Sequence, residues 1–303
     1  TCISGPRIDI CPLGTDKFAV VYAETGAPTV TRLVAATVSG TTITLGSPVN
    51  LNSAANDVNG LAICQDGTDK CVVGICKATA NQMCIGVTFS GTVPTGGTPV
   101  TIDTSFVGNV VGMVLVGTDK FVIGDPTVGK FQCGTLSGTT ITLGSVVTTI
   151  SSSSTQSDFQ MVSPATDVFA YRFNDSSSIS MYAGTISTRT ITMGSKLNMA
   201  ANAFNGGLYA NSASEIYCSV SDSATKAYGI HSIGLSGNTL TNNGVICQRT
   251  VIPQAYMSGF CDMGTYWFIP SFGSLANTTL AYFIKGMSNN FVGIAQSSVA
   301  KGA

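Results

Sequence analysis

The sequence has little charge of either sign. Only 10% of its 303 residues are charged, and the formal net charge is −1. Nucleic-acid-binding proteins usually carry a basic patch or an overall positive charge. We therefore expect no nucleic-acid partner. We also expect a surface built from serine, threonine, asparagine and glycine, which offers little electrostatic repulsion to close packing in an assembly.

Long hydrophobic runs are missing as well. The longest apolar stretches, such as residues 110–116, fall far short of the roughly 18 residues that a membrane-spanning helix needs. This predicts no membrane insertion. Residues 1–7 contain neither an initiator methionine nor an apolar signal segment, so we expect a chain that is processed or that is part of a longer protein.

Catalytic residue patterns are scarce too. His231 is the single histidine, expected on the surface or at a strand end, and no Gly-x-Ser-x-Gly elbow is present. Asp16, Asp69, Asp119 and Asp167 hold the same position in four related turns, which indicates turn stabilisation. We therefore predict no catalytic residues, no metal, no cofactor and no enzymatic activity.

What the sequence does contain is a repeat. Gly-Thr-Asp-Lys begins at Gly14, Gly67 and Gly117, and these starts are 53 and 50 residues apart. Ser-Gly-Thr-Thr-Ile-Thr-Leu-Gly-Ser begins at Ser39 and again 98 residues later at Ser137. With weaker copies between and after them, the pattern predicts one domain over residues 1–303 with six repeats, at about residues 1–54, 55–106, 107–154, 155–203, 204–252 and 253–303.

Each repeat has the signature of four short strands. Apolar and β-branched residues alternate over six to eight positions between turn residues, and helical periodicity is absent. A four-stranded unit of about 50 residues cannot bury both of its faces alone, so neighbouring units must stack. The fold class predicted is all-β: a six-bladed β-propeller with four antiparallel strands per blade. An open β-solenoid is the main alternative.

The ten cysteines fall into positions of the repeat that suit buried residues. One position, three residues before the residue that opens each first turn, contains Cys11, Cys64, Val114, Val162, Ala210 and Cys261. Another, four residues after it, contains Phe18, Cys71, Phe121, Phe169, Tyr217 and Phe268. Cys84 matches Leu33, Phe131 and Met181 of other repeats. These cysteines are predicted to be buried free thiols that act as small hydrophobic residues, while one or two disulfides stay as the alternative.

One pair of residues suggests binding. Trp267 is the single tryptophan and takes the position that Lys17, Lys70 and Lys120 hold in other repeats. An exposed indole next to Tyr266 could stack on a sugar or anchor a partner chain. Packing of Trp267 against a neighbouring blade or subunit is the alternative.

The repeat resembles that of β-propeller domains in tail and fibre proteins of tailed phages. The similarity rests on Gly117–Ile123 (Gly-Thr-Asp-Lys-Phe-Val-Ile), on residues 134–145 and on the ending at 290–297. The resemblance implies a structural repeat and transfers no site residues. Repeats four to six depart from it, for example at Ser187-Thr188-Arg189.

The leading hypothesis is a structural component of a bacteriophage virion, in a tail, fibre or head appendage. It would act through contacts with other virion proteins, as a homo-oligomer or multi-copy assembly, and through attachment to host-surface glycan. Such a protein would fold in the host cytoplasm and reside in the virion; secretion is the alternative. A carbohydrate-binding propeller lectin is the second hypothesis, and a polysaccharide-degrading enzyme the third.

Overall fold

The structure is a computed structural model of the 303-residue chain. It describes residues 8–24, 30–52, 58–77, 82–102, 112–125, 128–149, 159–175, 178–201, 203–204, 207–222, 227–250, 255–257, 261–262, 266–273 and 278–284. The chain divides into two compact units, Thr1–Ser154 with Thr185–Thr192, and Thr155–Gly184 with Met193–Ala303. Among the described residues, no helix is long and apolar enough to cross a membrane.

Three antiparallel sheets lie in the first unit, and the chain passes through adjacent strands in sequence order. The first sheet contains β1 (Ile8–Gly14), β2 (Lys17–Glu24), β3 (Val30–Ser39), β4 (Thr42–Leu45) and β5 (Val49–Asn52). The second contains β6 (Val58–Gln65), β7 (Lys70–Lys77), β8 (Met83–Ser90), β9 (Val93–Gly96) and β10 (Val100–Thr101). The third contains β11 (Gly112–Gly117), β12 (Lys120–Asp125), β13 (Lys130–Ser137) and β14 (Thr140–Thr148).

Three further antiparallel sheets follow along the chain. The fourth contains β15 (Gln160–Ala165), β16 (Val168–Asp175), β17 (Ser178–Ser187), β18 (Thr190–Met193) and β19 (Leu197–Ala201). The fifth contains β20 (Ala203–Phe204), β21 (Leu208–Ser212), β22 (Glu215–Asp222), β23 (Ala227–Ser236) and β24 (Thr239–Thr250). The sixth contains β25 (Ala255–Met257), β26 (Cys261–Asp262), β27 (Tyr266–Gly273) and β28 (Thr278–Ile284).

The strand pattern confirms the all-β prediction and the four-stranded antiparallel repeat. In the sheets with five strands, one of the four predicted strands is divided into two short strands that pair with the same neighbour. Thus β4 and β5 both pair with β3, and β20 and β21 both pair with β22. The end of the predicted sixth repeat, residues 285–303, lies outside the described residues.

An aspartate shapes the first turn of each of the first four sheets. Asp16, Asp69, Asp119 and Asp167 have φ between 55° and 60°, a left-handed conformation that aspartate tolerates better than most residues. The carbonyl oxygen of Asp16 accepts a 2.8 Å hydrogen bond from the N–H of Val38 in the third strand, and Asp69 and Asp119 do the same in their sheets. The predicted turn role of these residues is confirmed.

Successive sheets pack face to face on apolar side chains. A cluster between the first and second sheets includes the fully buried Leu13, Leu33 and Val73, and one between the second and third includes Phe121 and Ile123. In the second unit, a corresponding cluster joins the fourth and fifth sheets. Stacked sheets bury faces that no single sheet could cover, as the repeat predicted.

Polar contacts also join neighbouring sheets. Lys17 Nζ lies 2.5 Å from Asp69 Oδ1 of the second sheet, and Lys70 forms the corresponding ion pair with Asp119 of the third. Asp9 Oδ2 accepts a 2.9 Å hydrogen bond from the N–H of Ile63. These ion pairs were not predicted, because the sequence assigned the aspartates to turns alone.

Cysteines occupy the buried positions that the repeat assigned to them. Cys11, Cys64, Cys71 and Cys84 are buried free thiols, as predicted, and Cys76, Cys133 and Cys218 are buried as well. Burial raises the pKa of Cys76 and of Cys84 to about 12, which keeps these thiols protonated and unreactive near neutral pH. The side chain of Cys261 lies outside the described residues.

Candidate functional site

The fifth sheet departs from the repeat at the position that holds lysine in the first three sheets. Gly14 pairs with Lys17 across the first turn, Gly117 with Lys120, and Ser212 with Glu215. The repeat pattern aligns Ala213 with the residue that opens this turn, whereas the turn opens at Ser212, so the predicted register of the fifth repeat was wrong by one residue. The corrected register puts the buried Ile216 at the aromatic position in place of Tyr217, and Glu215 at the lysine position.

Glu215 is the centre of a polar network on one face of the fifth sheet. Its Oε1 accepts a 2.6 Å hydrogen bond from Ser232 Oγ on β23. Its Oε2 accepts hydrogen bonds from Asn211 Nδ2 at 2.7 Å and from Tyr217 OH at 3.0 Å. Asn243 Nδ2 of β24 donates to Ser232 Oγ at 3.3 Å, which extends the network across the sheet.

These contacts hold the carboxyl group as an anion. Burial alone would raise the pKa of Glu215, but the hydrogen bonds from Ser232, Asn211 and Tyr217 outweigh it and hold the pKa below its ordinary value. Burial, together with the neighbouring carboxylate, raises the pKa of Tyr217 to about 12. The site therefore presents a fixed carboxylate next to a protonated phenol over the whole neutral range.

Two aromatic rings adjoin the carboxylate. Tyr209 of β21 pairs with Tyr217 of β22, and their rings stack with centroids 6.4 Å apart and planes inclined by 15°. Both rings are half-exposed, as is Glu215, while Asn243 is exposed. Strand alternation explains the arrangement, because Glu215 and Tyr217 are two residues apart and point to the same face.

The arrangement has the groups that recognise a polyhydroxylated ligand. A carboxylate accepts hydrogen bonds from hydroxyl groups, an exposed amide both donates and accepts them, and tyrosine rings pack on the apolar faces of sugar rings. In the described part of the chain, no three histidine, cysteine, aspartate or glutamate side chains come together in a way that could hold a metal ion.

The binding residues suggested by the sequence lie in the sixth sheet. Tyr266 and Trp267 are the first two residues of β27, and Trp267 is in register with Asp262 on one side and Phe283 on the other. The side chains of both residues lie outside the described part of the structure. Their role in binding stays a prediction.

The single histidine lies elsewhere than expected. His231 is in the middle of β23, paired with Cys218 and Val245, and it is half-buried instead of lying on the surface or at a strand end. Burial lowers its pKa, although a hydrogen bond with Asn242 opposes this, so the ring is neutral near pH 7. Its central position follows from the register of the fifth sheet, which the sequence did not fix.

Comparison with known proteins shows similarity at the level of the fold. A periplasmic gluconolactonase of Pseudomonas aeruginosa, PpgL, superposes with a TM-score of 0.63 and 10% identity over 93% of this chain and 82% of that one. A candidate 6-phosphogluconolactonase of Bacteroides uniformis superposes with a TM-score of 0.59 and 10% identity, over 94% of this chain and 83% of that one. SapL1 lectin, solved in complex with alpha methyl fucoside, superposes with a TM-score of 0.50 and 12% identity, over 97% of this chain and 96% of that one. No family model matches the sequence, and no curated protein matches it either.

These comparisons correct the expectation that the protein has no enzymatic activity. Proteins with the same fold are named as lactonases, which are enzymes, so the expectation is contradicted. The physical reason is that a repeat encodes the scaffold, while catalytic groups sit at individual positions that a repeat pattern does not reveal. The named neighbours are all-β and propeller-like, in agreement with the predicted fold class.

Proposed function

We propose that this protein binds carbohydrate on the face of the fifth sheet formed by Tyr209, Asn211, Glu215, Tyr217 and Asn243. The observation that carries the proposal is the carboxylate of Glu215, which three neutral donors hold in place beside a stacked tyrosine pair. Such preorganisation lowers the entropy cost of binding a flexible, hydroxyl-rich ligand.

The chemistry of the site matches a sugar more closely than a phosphate or a nucleic acid. The anionic Glu215 would repel phosphate groups, whereas sugar hydroxyls can donate to its remaining lone pairs. The faces of Tyr209 and Tyr217 are suited to the C–H face of a pyranose ring. The fold comparisons support this choice, since a lectin and two proteins named for sugar lactones are among the similar structures.

A glycan array tests the proposal. The intact chain should bind a defined set of glycans, and Glu215→Gln should weaken that binding about tenfold, because one lost charge-assisted hydrogen bond is worth about 1.4 kcal/mol or more. Val245→Thr is a matched control, since Val245 is an exposed residue on the adjacent strand outside the network, and it should leave binding unchanged.

Two outcomes would contradict the proposal. Binding that survives Glu215→Gln and Tyr217→Ala but is lost in Trp267→Ala would move the site to the sixth sheet. Binding to none of the glycans would remove the carbohydrate assignment altogether.

Hydrolysis is measured with the same variants. Purified protein is mixed with glucono-1,5-lactone and the acid released is titrated. Turnover that is lost in Glu215→Gln would make the proposed site an active site, in which the carboxylate positions the attacking water. Turnover that is unchanged in this variant would place catalysis elsewhere in the molecule.

We also propose that the six sheets are the blades of one six-bladed propeller. Support comes from the six sequence repeats and the six antiparallel sheets of the described residues. An experimental structure with five or seven blades, or with an open row of sheets, would refute this blade number.

A second candidate function is that of a structural component of a phage virion, which the resemblance of the repeat supports. The solved structures named above include no virion protein, so the proposal rests on the sequence. Antibodies raised against the chain should decorate the tail, a fibre or a head appendage of phage particles in electron micrographs. Particles that carry none of the chain would exclude this candidate.

A further inference from the structure

Two cysteines face each other in the apolar layer between the first and second sheets. Cys11 of β1 is 4% exposed and Cys71 of β7 is fully buried, and both belong to the cluster that joins these sheets. A hydrogen bond connects the two thiols. Cys11 and Cys71 are therefore neighbours in space, although they are 60 residues apart in the sequence.

Main-chain contacts bring the two strands together at this point. The N–H of Asp69 in the second sheet donates a 3.0 Å hydrogen bond to the carbonyl oxygen of Leu13 on β1. Cys11 and Cys71 each lie two residues from this bond, on the side away from the turns, so they are at the same level of the two sheets. The main chains thus approach more closely than the spacing of about 10 Å between stacked sheets. This suits a disulfide, which needs a Cα separation of roughly 6 Å.

The next interface has a different pair at the same repeat positions. Between the second and third sheets, Cys64 takes the position of Cys11 and Phe121 takes that of Cys71, and both belong to one buried cluster. An aromatic ring therefore packs in the same layer as Cys64. The first interface has a second thiol in place of that ring, so it brings together the two groups that a disulfide requires.

Both thiols are reduced in the structure, and burial keeps them so while the sheets are packed. The hydrogen bond with Cys11, together with burial, raises the pKa of Cys71 well above its ordinary value. Its thiol is therefore protonated near neutral pH, and a protonated thiol does not attack a disulfide. Oxidation then has to occur while the chain folds, or when the two sheets separate transiently and solvent reaches the sulfur atoms.

We propose that Cys11 and Cys71 form a disulfide when the chain folds in an oxidising compartment, and that this bond fixes the first sheet to the second. The oxidant is a small disulfide such as oxidised glutathione. One cysteine thiolate displaces a glutathione thiolate to give a mixed disulfide, and the other cysteine thiolate then attacks the protein sulfur of that bond and releases the second glutathione. The two protons of the protein thiols end on the two glutathione thiols, so one S–S bond is broken and one is formed.

The experiment is refolding of the reduced, urea-denatured chain in buffers of reduced and oxidised glutathione. Free thiols are then alkylated in urea, and tryptic peptides are mapped by mass spectrometry. The peptide of residues 8–17 should be linked to that of residues 71–77. The linked chain should melt roughly 5 °C higher than the chain refolded with reduced glutathione alone, because the bond closes a long loop in the unfolded chain.

Two variants assign the pair. Cys11→Val should abolish the linked peptide and the gain in melting temperature, and it should fold, since Val114 and Val162 hold this repeat position in the third and fourth sheets. Cys76→Ala is the matched control. Cys76 lies in the same tryptic peptide as Cys71 but belongs to the cluster between the second and third sheets, so its variant should keep the link.

Three results would overturn the proposal. One is a chain that refolds in excess oxidised glutathione without a link between the two peptides. Another is a link that is lost in Cys76→Ala, or one that joins residues 8–17 to the peptide that contains Cys64, because Cys11 would then have a different partner. The third is a linked chain that melts at the temperature of the reduced chain, which would show that the bond does not fix the two sheets.

Discussion

Sheets with the intact Gly-Thr-Asp-Lys turn and sheets that depart from it use the same backbone for different purposes. In the first sheet the carbonyl of Asp16 accepts from Val38 N–H at 2.8 Å, and in the fifth the carbonyl of Ser214 accepts from Leu235 N–H at 2.9 Å. The turn is therefore retained without its aspartate. Because main-chain hydrogen bonds carry the architecture, the adjoining side-chain position can change from a lysine to Glu215.

The repeat position that holds lysine in the first three sheets and Glu215 in the fifth has two different roles. Lys17 and Lys70 reach the turn aspartate of the next sheet and join the two sheets. Glu215 makes its hydrogen bonds within the fifth sheet, and the residue is half-exposed. At this repeat position, a lysine therefore joins two sheets, whereas a glutamate forms part of a candidate binding site.

The largest loss of stability is expected at Lys70, which forms the most buried of the ion pairs that join neighbouring sheets. Lys70 Nζ lies 3.8 Å from Asp66, a carboxylate that is 1% exposed, and it also pairs with Asp119. Lys70→Glu would leave that buried charge uncompensated and add a like charge, so we expect a loss of about 3 kcal/mol in the free energy of unfolding. Urea denaturation measures it. Lys17→Glu is the control, with an expected loss of about 1 kcal/mol, because its partner Asp69 is 41% exposed.

A smaller effect is expected in the fifth sheet. Ser232 is 5% exposed and donates to Glu215, so Ser232→Ala removes a charge-assisted hydrogen bond and should cost about 2 kcal/mol in urea denaturation. Ser236→Ala, at the exposed end of the same strand, should change the unfolding free energy by less than about 0.5 kcal/mol. Equal losses in both variants would mean that the network does not stabilise the sheet.

In the fourth sheet, a substitution is expected to increase the stability of the protein instead of lowering it. Gly40, Gly91, Gly138 and Gly237 hold φ near 60° in the turn after the third strand, and Thr188 takes the same conformation at 56°. A β-branched residue is strained there, so Thr188→Gly should gain about 1 kcal/mol and raise the melting temperature. Gly138→Thr should lose a similar amount. Destabilisation by Thr188→Gly would show that this turn relies on the threonine side chain.

The smallest expected effect is a change in how the stability of the protein depends on pH. Burial raises the pKa of Asp66, so its contribution to stability is greatest in acid and is lost as the pH rises through that value. The pKa of Glu215 is lowered, so its contribution is present at neutral pH and is lost as the pH falls through that value. Relative to the wild type, Asp66→Asn should therefore become more stable as the pH rises above about 4, the ordinary pKa of an aspartate. Glu215→Gln should be less stable than the wild type at neutral pH, and this difference should shrink as the pH falls below about 4.5. Calorimetry from pH 3 to pH 7 should show the two separate pH ranges.

The sequence predicted the scaffold well because the scaffold is local. Short runs of apolar residues over Lys70–Lys77 and Met83–Ser90 identify strands, and the turn residues between neighbouring runs identify hairpins. It also identified Cys71 as a buried residue from its slot in the repeat. The candidate site was missed, since the fifth turn was read one residue out of register and Glu215 was not aligned with the lysines.

By itself, the sequence determined the repeat, the antiparallel strands, the turns and the buried thiols, because each depends on neighbours a few residues away. Only the tertiary structure decided that Lys17 meets Asp69 and that Ser232 and Asn211 converge on Glu215. These contacts join residues on different strands or sheets. They depend on strand register and sheet stacking, in which a shift of a single residue moves every side chain to the other face.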